Sequence, residues 1–366
     1  MSRFRIILLA ALAAWTLFLP GGCVVPDAPA PDGEAIVFSA GSNLLQEDAT
    51  KAEFDNGSTV LVYGQHHDGA RNTLIFDAVP LTKSAGSWSY ITQETLPRYW
   101  SWESAADYYD FFAVYPTTLP NSDPVPTVRL ATLGDLAIGT PFAFTQVGDD
   151  YDPEEGKYDL LCAAYRRKGT DQNLTETVPL HLCHMFCEVQ LVVKNVSARS
   201  FYFNAFSFQH LVSSATARAG IDAQGNPEYT WINTERDARI VKGESLDNDG
   251  ALLATNGTYS SGWIRLIPGA LNVASDGSGN TDLMAKLLLS FTPAKINPSD
   301  PQPATINQSL ALREVERTSD GTPITSWQVG TRYVYNIDIR IDGSVVITVV
   351  TTPWEIIEAH TPGLMI

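Results

Sequence analysis

Apolar side chains alternate with polar or small ones through most of this chain, the two-residue period of a half-buried strand. The stretch Val178–Asn195, VPLHLCHMFCEVQLVVKN, carries the period twice with a change of phase between. Val178, Leu180 and Leu182 hold the even positions, whereas Val189, Leu191 and Val193 hold the odd ones. A slip of one residue would turn every buried side chain outward, so the spacing predicts a bulge or short turn at His184-Met185-Phe186-Cys187 with a strand on either side. Such a kinked pair can pass from one sheet of a sandwich to the other, and it reads as the centre of an N-terminal domain.

The same pattern predicts strands at Ile36–Phe38, Thr50–Phe54, Thr59–Tyr63, Asn72–Phe76, Trp88–Thr92 and Tyr108–Tyr115, with a turn at Asp55-Asn56-Gly57-Ser58. After Asn195 it predicts them at Phe201–Phe208, Ile240-Val241, Gly262–Ile267, Lys286–Phe291, Leu310–Val315, Arg332–Ile341 and Val345–Thr351, the last two joined by the hairpin signal Asp342-Gly343-Ser344. Gly, Pro, Asn and Asp separate the runs, and the strands are rich in aromatic and β-branched residues, which indicates an all-β sandwich of antiparallel strands. Ala131–Ile138 reads as one short helix. The small, polar stretch Val196-Ser197-Ala198-Arg199 is the best boundary, dividing the folded chain into 36–195 and 196–352. At 366 residues each part is long enough to bury its own core.

Both ends depart from the alternation. Arg3 and Arg5 precede an uncharged apolar run from Ile6 to Leu19 and then Pro20-Gly21-Gly22-Cys23. That run is short for a membrane span and suits a secretory signal over residues 1–22, with small residues before Cys23 in the manner of a bacterial lipoprotein. Cys23 is therefore the expected lipidation site, and its acyl chains the membrane anchor. Residues 23–35, rich in Pro, Asp and Ala, form an extended tether. The tail 353–366 carries Trp354, Ile356, Ile357, Leu364, Met365 and Ile366, which need a groove in this molecule or another.

Charge and candidate chemistry narrow the function. A formal charge of -17 argues against nucleic acid as a partner. His181, Cys183, His184 and Cys187 are all soft-metal ligands, but no second Cys/His pair completes a tetrahedral shell. The loop 148–158 gathers Asp149, Asp150, Asp152, Glu154 and Glu155 without the spacing of a calcium loop, so a solvated turn is the default. Cys162, Cys183 and Cys187 form no evenly spaced disulfide framework. No nucleophile elbow, phosphate loop or His-Glu-x-x-His is present, so neither catalysis nor a cofactor is expected.

Several pieces in order carry a family likeness: Thr50-Lys51-Ala52 with Phe54 and Gly57 leading into VLVYG, Tyr99-Trp100 before YYDFFAVYP, Asp159-Leu160-Leu161 with Ala163, the 178–195 segment, RYVYNIDI and Trp354. Together with the lipoprotein-like start they resemble the fimbrillin family, pilus subunits of Gram-negative anaerobes, over Ile36 to Trp354. The resemblance implies two tandem transthyretin-like antiparallel β-sandwich domains and a surface-exposed location on the cell outer membrane, in a fimbrium. It implies removal of the N-terminal segment by a protease that cuts after a basic residue, opening a groove that a neighbouring subunit's strand fills. Lys51 holds the position where an arginine is usual, and Arg71 is the first arginine after the signal, so both are candidate processing sites. The partners implied are other fimbrial subunits by strand exchange, the outer membrane through the lipid, and a host or bacterial surface ligand. The tail 353–366 is a candidate donor strand, limited by Pro353 and Pro362. The alternative is a surface lipoprotein that binds a glycan or host ligand without polymerising, with Trp88, Trp100, Trp102 and Trp231 stacking on sugar rings.

Overall fold

The structure, a computed structural model, describes residues 33–42, 54, 56–69, 71–92, 95–115, 128–130, 136–138, 142–143, 160–236, 240–245, 250–271 and 284–354. Cys23, Lys51, the strand expected at 50–54 apart from Phe54, the acidic loop 148–158 and the tail after Trp354 lie outside these residues. In chain order the strands are β1 (Phe38–Ser42), β2 (Thr59–His67), β3 (Asn72–Ser84), β4 (Ser87–Ser89), β5 (Tyr108–Tyr115), β6 (Val128–Leu130), β7 (Leu136–Ile138), β8 (Phe142–Ala143) and β9 (Leu161–Lys168). They continue with β10 (Val178–His184), β11 (Cys187–Asn195), β12 (Phe201–Gln209), β13 (Val212–Ile221), β14 (Pro227–Arg236), β15 (Ile240–Ser245), β16 (Ala251–Leu253), β17 (Thr258–Ser260) and β18 (Ile264–Leu266). The last are β19 (Gly269–Ala270), β20 (Lys286–Pro293), β21 (Ile306–Ala311), β22 (Glu316–Arg317), β23 (Ser326–Trp327), β24 (Thr331–Ile339) and β25 (Val345–Pro353). The protein is all-β: the only helical turn among the described residues is a three-residue 3-10 turn at Leu312–Glu314. The short helix expected at Ala131–Ile138 is corrected, since Leu136–Ile138 is a strand paired with β6 and β13.

Phase decides where the chain goes at His184. β10 lies in a seven-stranded sheet of order β1-β10-β9-β5-β2-β3-β4, and β11 lies in a different, six-stranded sheet, β17-β11-β24-β25-β22 with β18 also paired to β11. The bend at Met185-Phe186 thus carries the chain between sheets, as the parity change requires. It does not leave the whole stretch at one centre: β10 is next to the edge strand, while β11 is internal to its sheet. Pairing is antiparallel in the main, with parallel contacts of β1 on β10, β11 on β24 and β22 on β25.

Three apolar clusters hold the sheets. The largest unites Cys187, Val189, Leu191 and Val193 of β11 with Phe201, Phe203, Phe206 and Phe208 of β12 and Tyr333, Tyr335 and Ile337 of β24. The seven-stranded sheet is covered on both faces, so β5 is buried along its length and apolar apart from Asp110. Its Tyr109, Phe111 and Ala113 join a cluster with Ile36, Phe38, Val60, Val62, Phe76, Leu180 and Leu182. Its Phe112 and Val114 join another with Tyr63, Cys162, Met185, Phe186, Trp231 and the alanines 215, 217 and 219 of β13. The β13–β14 hairpin therefore covers the seven-stranded sheet, although it follows β12 in sequence. Trp231 Nε1 donates to Met185 O at 2.6 Å, tying that hairpin to the bend between β10 and β11.

Candidate functional site

The candidate site is the sheet edge at β1. β1 lies at one margin of the seven-stranded sheet, parallel to β10, with Phe38 opposite Val178 and Ser42 opposite Leu182. Just before it the chain is gripped on both sides. Ile36 N donates to Arg98 O (2.8 Å), Trp100 N donates to Glu34 O (3.0 Å), and Val178 N donates to Val37 O (2.8 Å). Alternation then sorts the side chains: Ile36 and Phe38 are buried, whereas Val37 between them is 44% exposed. The Phe38 ring sits edge-on to Phe76 (5.2 Å), Tyr90 (5.9 Å) and Phe111 (5.4 Å). Filling such a socket with one phenylalanine is worth roughly 3–5 kcal/mol.

The socket is built by residues that come together only on folding. Gly64, the last residue of VLVYG, makes room for it, because a Cβ there would stand 2.9 Å from Phe76 and 3.0 Å from Phe111. The Tyr90 hydroxyl accepts from Arg98 N at 2.9 Å, which fixes the strip that grips Ile36. Burial raises the Tyr90 phenol above its ordinary value, so it stays protonated. On the far side of the connector after β1, Phe54 is held by Lys83 Nζ donating to its carbonyl at 2.6 Å and by edge contacts with Trp88 (5.5 Å) and Tyr115 (5.2 Å). The segment containing Lys51 therefore runs between two anchored points, Ser42 and Phe54.

Arg71, the other candidate processing residue, is exposed in the β2–β3 turn, where its N–H donates to Asp68 Oδ1 at 2.8 Å. β2 is paired on both sides, with β3 and β5. A cut there would nick a tight hairpin without freeing an edge.

A second polar feature crosses the end of the same sheet. Arg166 donates twice to the buried Asp110, at 2.6 and 2.7 Å, and its guanidinium lies 4.3 Å from the Tyr108 ring centre. His67 stacks on Tyr108 and His66 on Tyr109, each at 4.2 Å. The hydrogen bonds that Arg166 donates to Asp110 raise the Arg166 pKa, and burial lowers that of His66. Asp107 accepts from the Ser104 hydroxyl at 2.6 Å and from two backbone N–H groups, which lower its pKa. The arrangement ties β2, β5 and β9 together.

The other sequence candidates disperse. His181 is exposed, His184 stacks on Trp354 at 3.8 Å, and the Cys187 thiol lies 3.4 Å from Leu266 O in the largest core. Among the described residues no three His, Cys, Asp or Glu side chains converge on a metal position. Cys162, Cys183 and Cys187 are not joined to one another by a disulfide, although Cys162 and Cys183 are cross-strand neighbours. Of the tryptophans suggested as sugar platforms, Trp88, Trp100 and Trp231 are buried and so unavailable for stacking, whereas Trp102 is half-buried and packs on Trp100 (5.6 Å) and Tyr109 (4.8 Å). Trp354 is buried where the tail begins, its N–H donating to Gly330 O at 2.8 Å and the Arg265 guanidinium 5.3 Å from its ring centre.

An all-β molecule with a short parallel edge strand plugged into an aromatic socket defines a class, β-sandwich-like proteins with a short parallel strand at one sheet margin. The fimbrillin-like family profile matches residues 48–354, and the chain belongs to that family. As a member it is a fimbrial or adhesion subunit of the cell surface that associates with other subunits. Among solved structures it is similar to a protein assigned to cell adhesion from Bacteroides eggerthii DSM 20697, with 14% identity, TM-score 0.48, and 88% of this chain and 97% of that one covered. It is also similar to the tip fimbrial protein Mfa3 of Porphyromonas gingivalis (10% identity, TM-score 0.40, 82% and 95% covered). A fimbrilin (fimA) of Porphyromonas gingivalis W83 gives 8% identity and TM-score 0.40, with 88% and 97% covered. No curated protein matches the sequence.

Proposed function

We propose that this chain is a fimbrial subunit, exported as a lipoprotein through acylation of Cys23, that joins its neighbours by giving up β1 and taking a neighbour's strand in its place. The observation that carries the reading is the seating of Ile36 and Phe38 in the socket beside β10, ahead of a connector that contains Lys51. After a cut at Lys51, β1 is held by noncovalent contacts alone. Its departure exposes the β10 backbone edge and an apolar slot, and an incoming strand with apolar residues two apart satisfies both. In the tail, Leu364 and Ile366 have that spacing. In this reading the chain consists of two β units divided near 195/196, interlocked by β11 and the β13–β14 hairpin.

The test is mass spectrometry of the surface protein beside a Lys51→Gln variant. The reading expects acylated Cys23 in the precursor, a new N-terminus at Ala52 in polymers, and no polymer from the variant. Polymers that retain residues 33–51, or an unprocessed wild-type chain in assembled fibres, would refute it.

A further inference from the structure

We infer that the outer face of the second sandwich carries a binding groove for a neutral oligosaccharide, centred on Tyr202 and Asn204. On β12 the phenylalanines 201 and 203 face the core, so Tyr202 and the residue after Phe203 face outward. The β20–β21 connection, residues 294–305, borders this face and leaves a groove of about 770 Å³.

A bulge supplies the central polar group. Against β20 the register runs from Phe203↔Phe291 directly to Ala205↔Ser290, and on the other side from Phe203↔Ala251 to Ala205↔Ser245. Asn204 is the extra residue, and such a bulge in an internal strand re-aims a side chain. Its amide donates from Nδ2 to Thr292 Oγ1 at 2.8 Å, and Thr292 Oγ1 lies 2.9 Å from Thr305 Oγ1, so amide and hydroxyls form a row across the groove floor. Gly250 keeps space for this amide, because a Cβ there would stand 2.8 Å from Asn204 Oδ1. Thr292, at the centre of the row, is buried.

The lining chooses the ligand. In a chain of formal charge -17, the described residues of the groove include no carboxylate and one cation, Lys295. The remaining polar groups, Tyr202, Asn204, Thr292, Gln302 and Thr305, are uncharged and offer both donors and acceptors. Sugar hydroxyls also donate and accept, and the C–H face of a pyranose matches an aromatic ring beside an apolar side chain. Here these are Tyr202 and Ile296, the latter 78% exposed. A cleft that is mostly open, with a few converging polar groups, suits a ligand of two or three sugar units. The inference is independent of strand exchange, since β12, β20 and β21 lie outside the sheet that holds β1.

Saturation-transfer NMR on the full chain tests it, with maltotriose, cellotriose, mannotriose, galactobiose and diacetylchitobiose as probes and sialyllactose as the acidic comparator. Transfer to at least one neutral probe is expected, weakened about tenfold or more in Tyr202→Ala and Asn204→Ala and retained in Tyr202→Phe and Lys295→Gln. Should Asn204→Ala fail to fold, Thr305→Val, exposed on the rim, replaces it. Absence of transfer from all neutral probes, equal transfer in the alanine variants, or binding of sialyllactose alone with loss in Lys295→Gln would each overturn the assignment.

Discussion

β1 and β25 lie at or near the margins of their sheets, both are chain-terminal among the described strands, and they are held in opposite ways. β25 pairs with β24 over nine consecutive positions, Thr331↔Pro353 to Ile339↔Val345, through a hairpin in which Arg340 N donates to Ser344 O at 2.9 Å. β1 makes five pairs, all with β10, in the parallel arrangement that is slightly weaker per residue. What holds β1 is a local plug, Ile36 and Phe38, and not a long ladder. A compact hairpin closes at small entropic cost, whereas β1 meets a partner about 140 residues further along and depends on side chains to stay. In the proposed exchange, a neighbour's strand with similar apolar residues takes over both the short ladder and the socket.

The sharpest way to break this contrast is to empty the plug. Phe38→Ala should cost about 3–5 kcal/mol of β1 attachment. Hydrogen exchange should show fast exchange at 34–42 and 178–182 while β24 stays protected. Ile337→Ala, in the largest core, should instead lower global stability by about 2–5 kcal/mol, read as a lower denaturant midpoint, and leave no separately opened segment. Narrowing the socket from the other side, Gly64→Ala should cost about 1–3 kcal/mol by pressing on Phe76 and Phe111, again read as faster exchange at β1.

The β25 arm of the comparison has a smaller handle. Gly343 has φ +79° and a Cβ there would stand 2.7 Å from Ile306 Cδ1, so Gly343→Ala should cost about 1–2 kcal/mol in thermal melts without freeing β1. The smallest effect is that of pH. Burial lowers the folded pKa of His66, so on acidification the unfolded chain takes up its proton first. Stability should therefore fall as pH drops below the unfolded value of about 6.5 and level off below the folded pKa, and His66→Gln should flatten that slope in melts at several pH values.

Much of this architecture was legible in the sequence where side chains are large. β5 is legible as Tyr108–Tyr115 because aromatic residues dominate the run YYDFFAVY up to Pro116. The His184 kink was read from parity alone, since Val178, Leu180 and Leu182 cannot share a register with Val189 and Leu191. β13 escaped notice because VSSATARAGI buries alanines where a strand usually shows branched or aromatic residues, and its partner sheet is recruited across β12. The aromatic socket could not be seen at all, because Phe38, Phe76, Tyr90 and Phe111 are brought together only by topology. The Asn204 bulge did leave a trace: Phe201, Phe203, Phe206 and Phe208 are spaced two, three, two, the signature of one extra residue. Trp88, Trp100 and Trp231 are large apolar side chains that the fold buries, which the sequence alone does not distinguish from exposed sugar platforms.

The most direct test of β1 as a replaceable strand is native mass spectrometry of the chain cut between residues 42 and 54 and mixed with an isotopically labelled peptide of residues 33–51. The account predicts that the labelled peptide displaces the resident one and that the remaining chain keeps its folded charge-state distribution throughout. A resident segment that does not exchange, or a chain that unfolds once the segment departs, would contradict it.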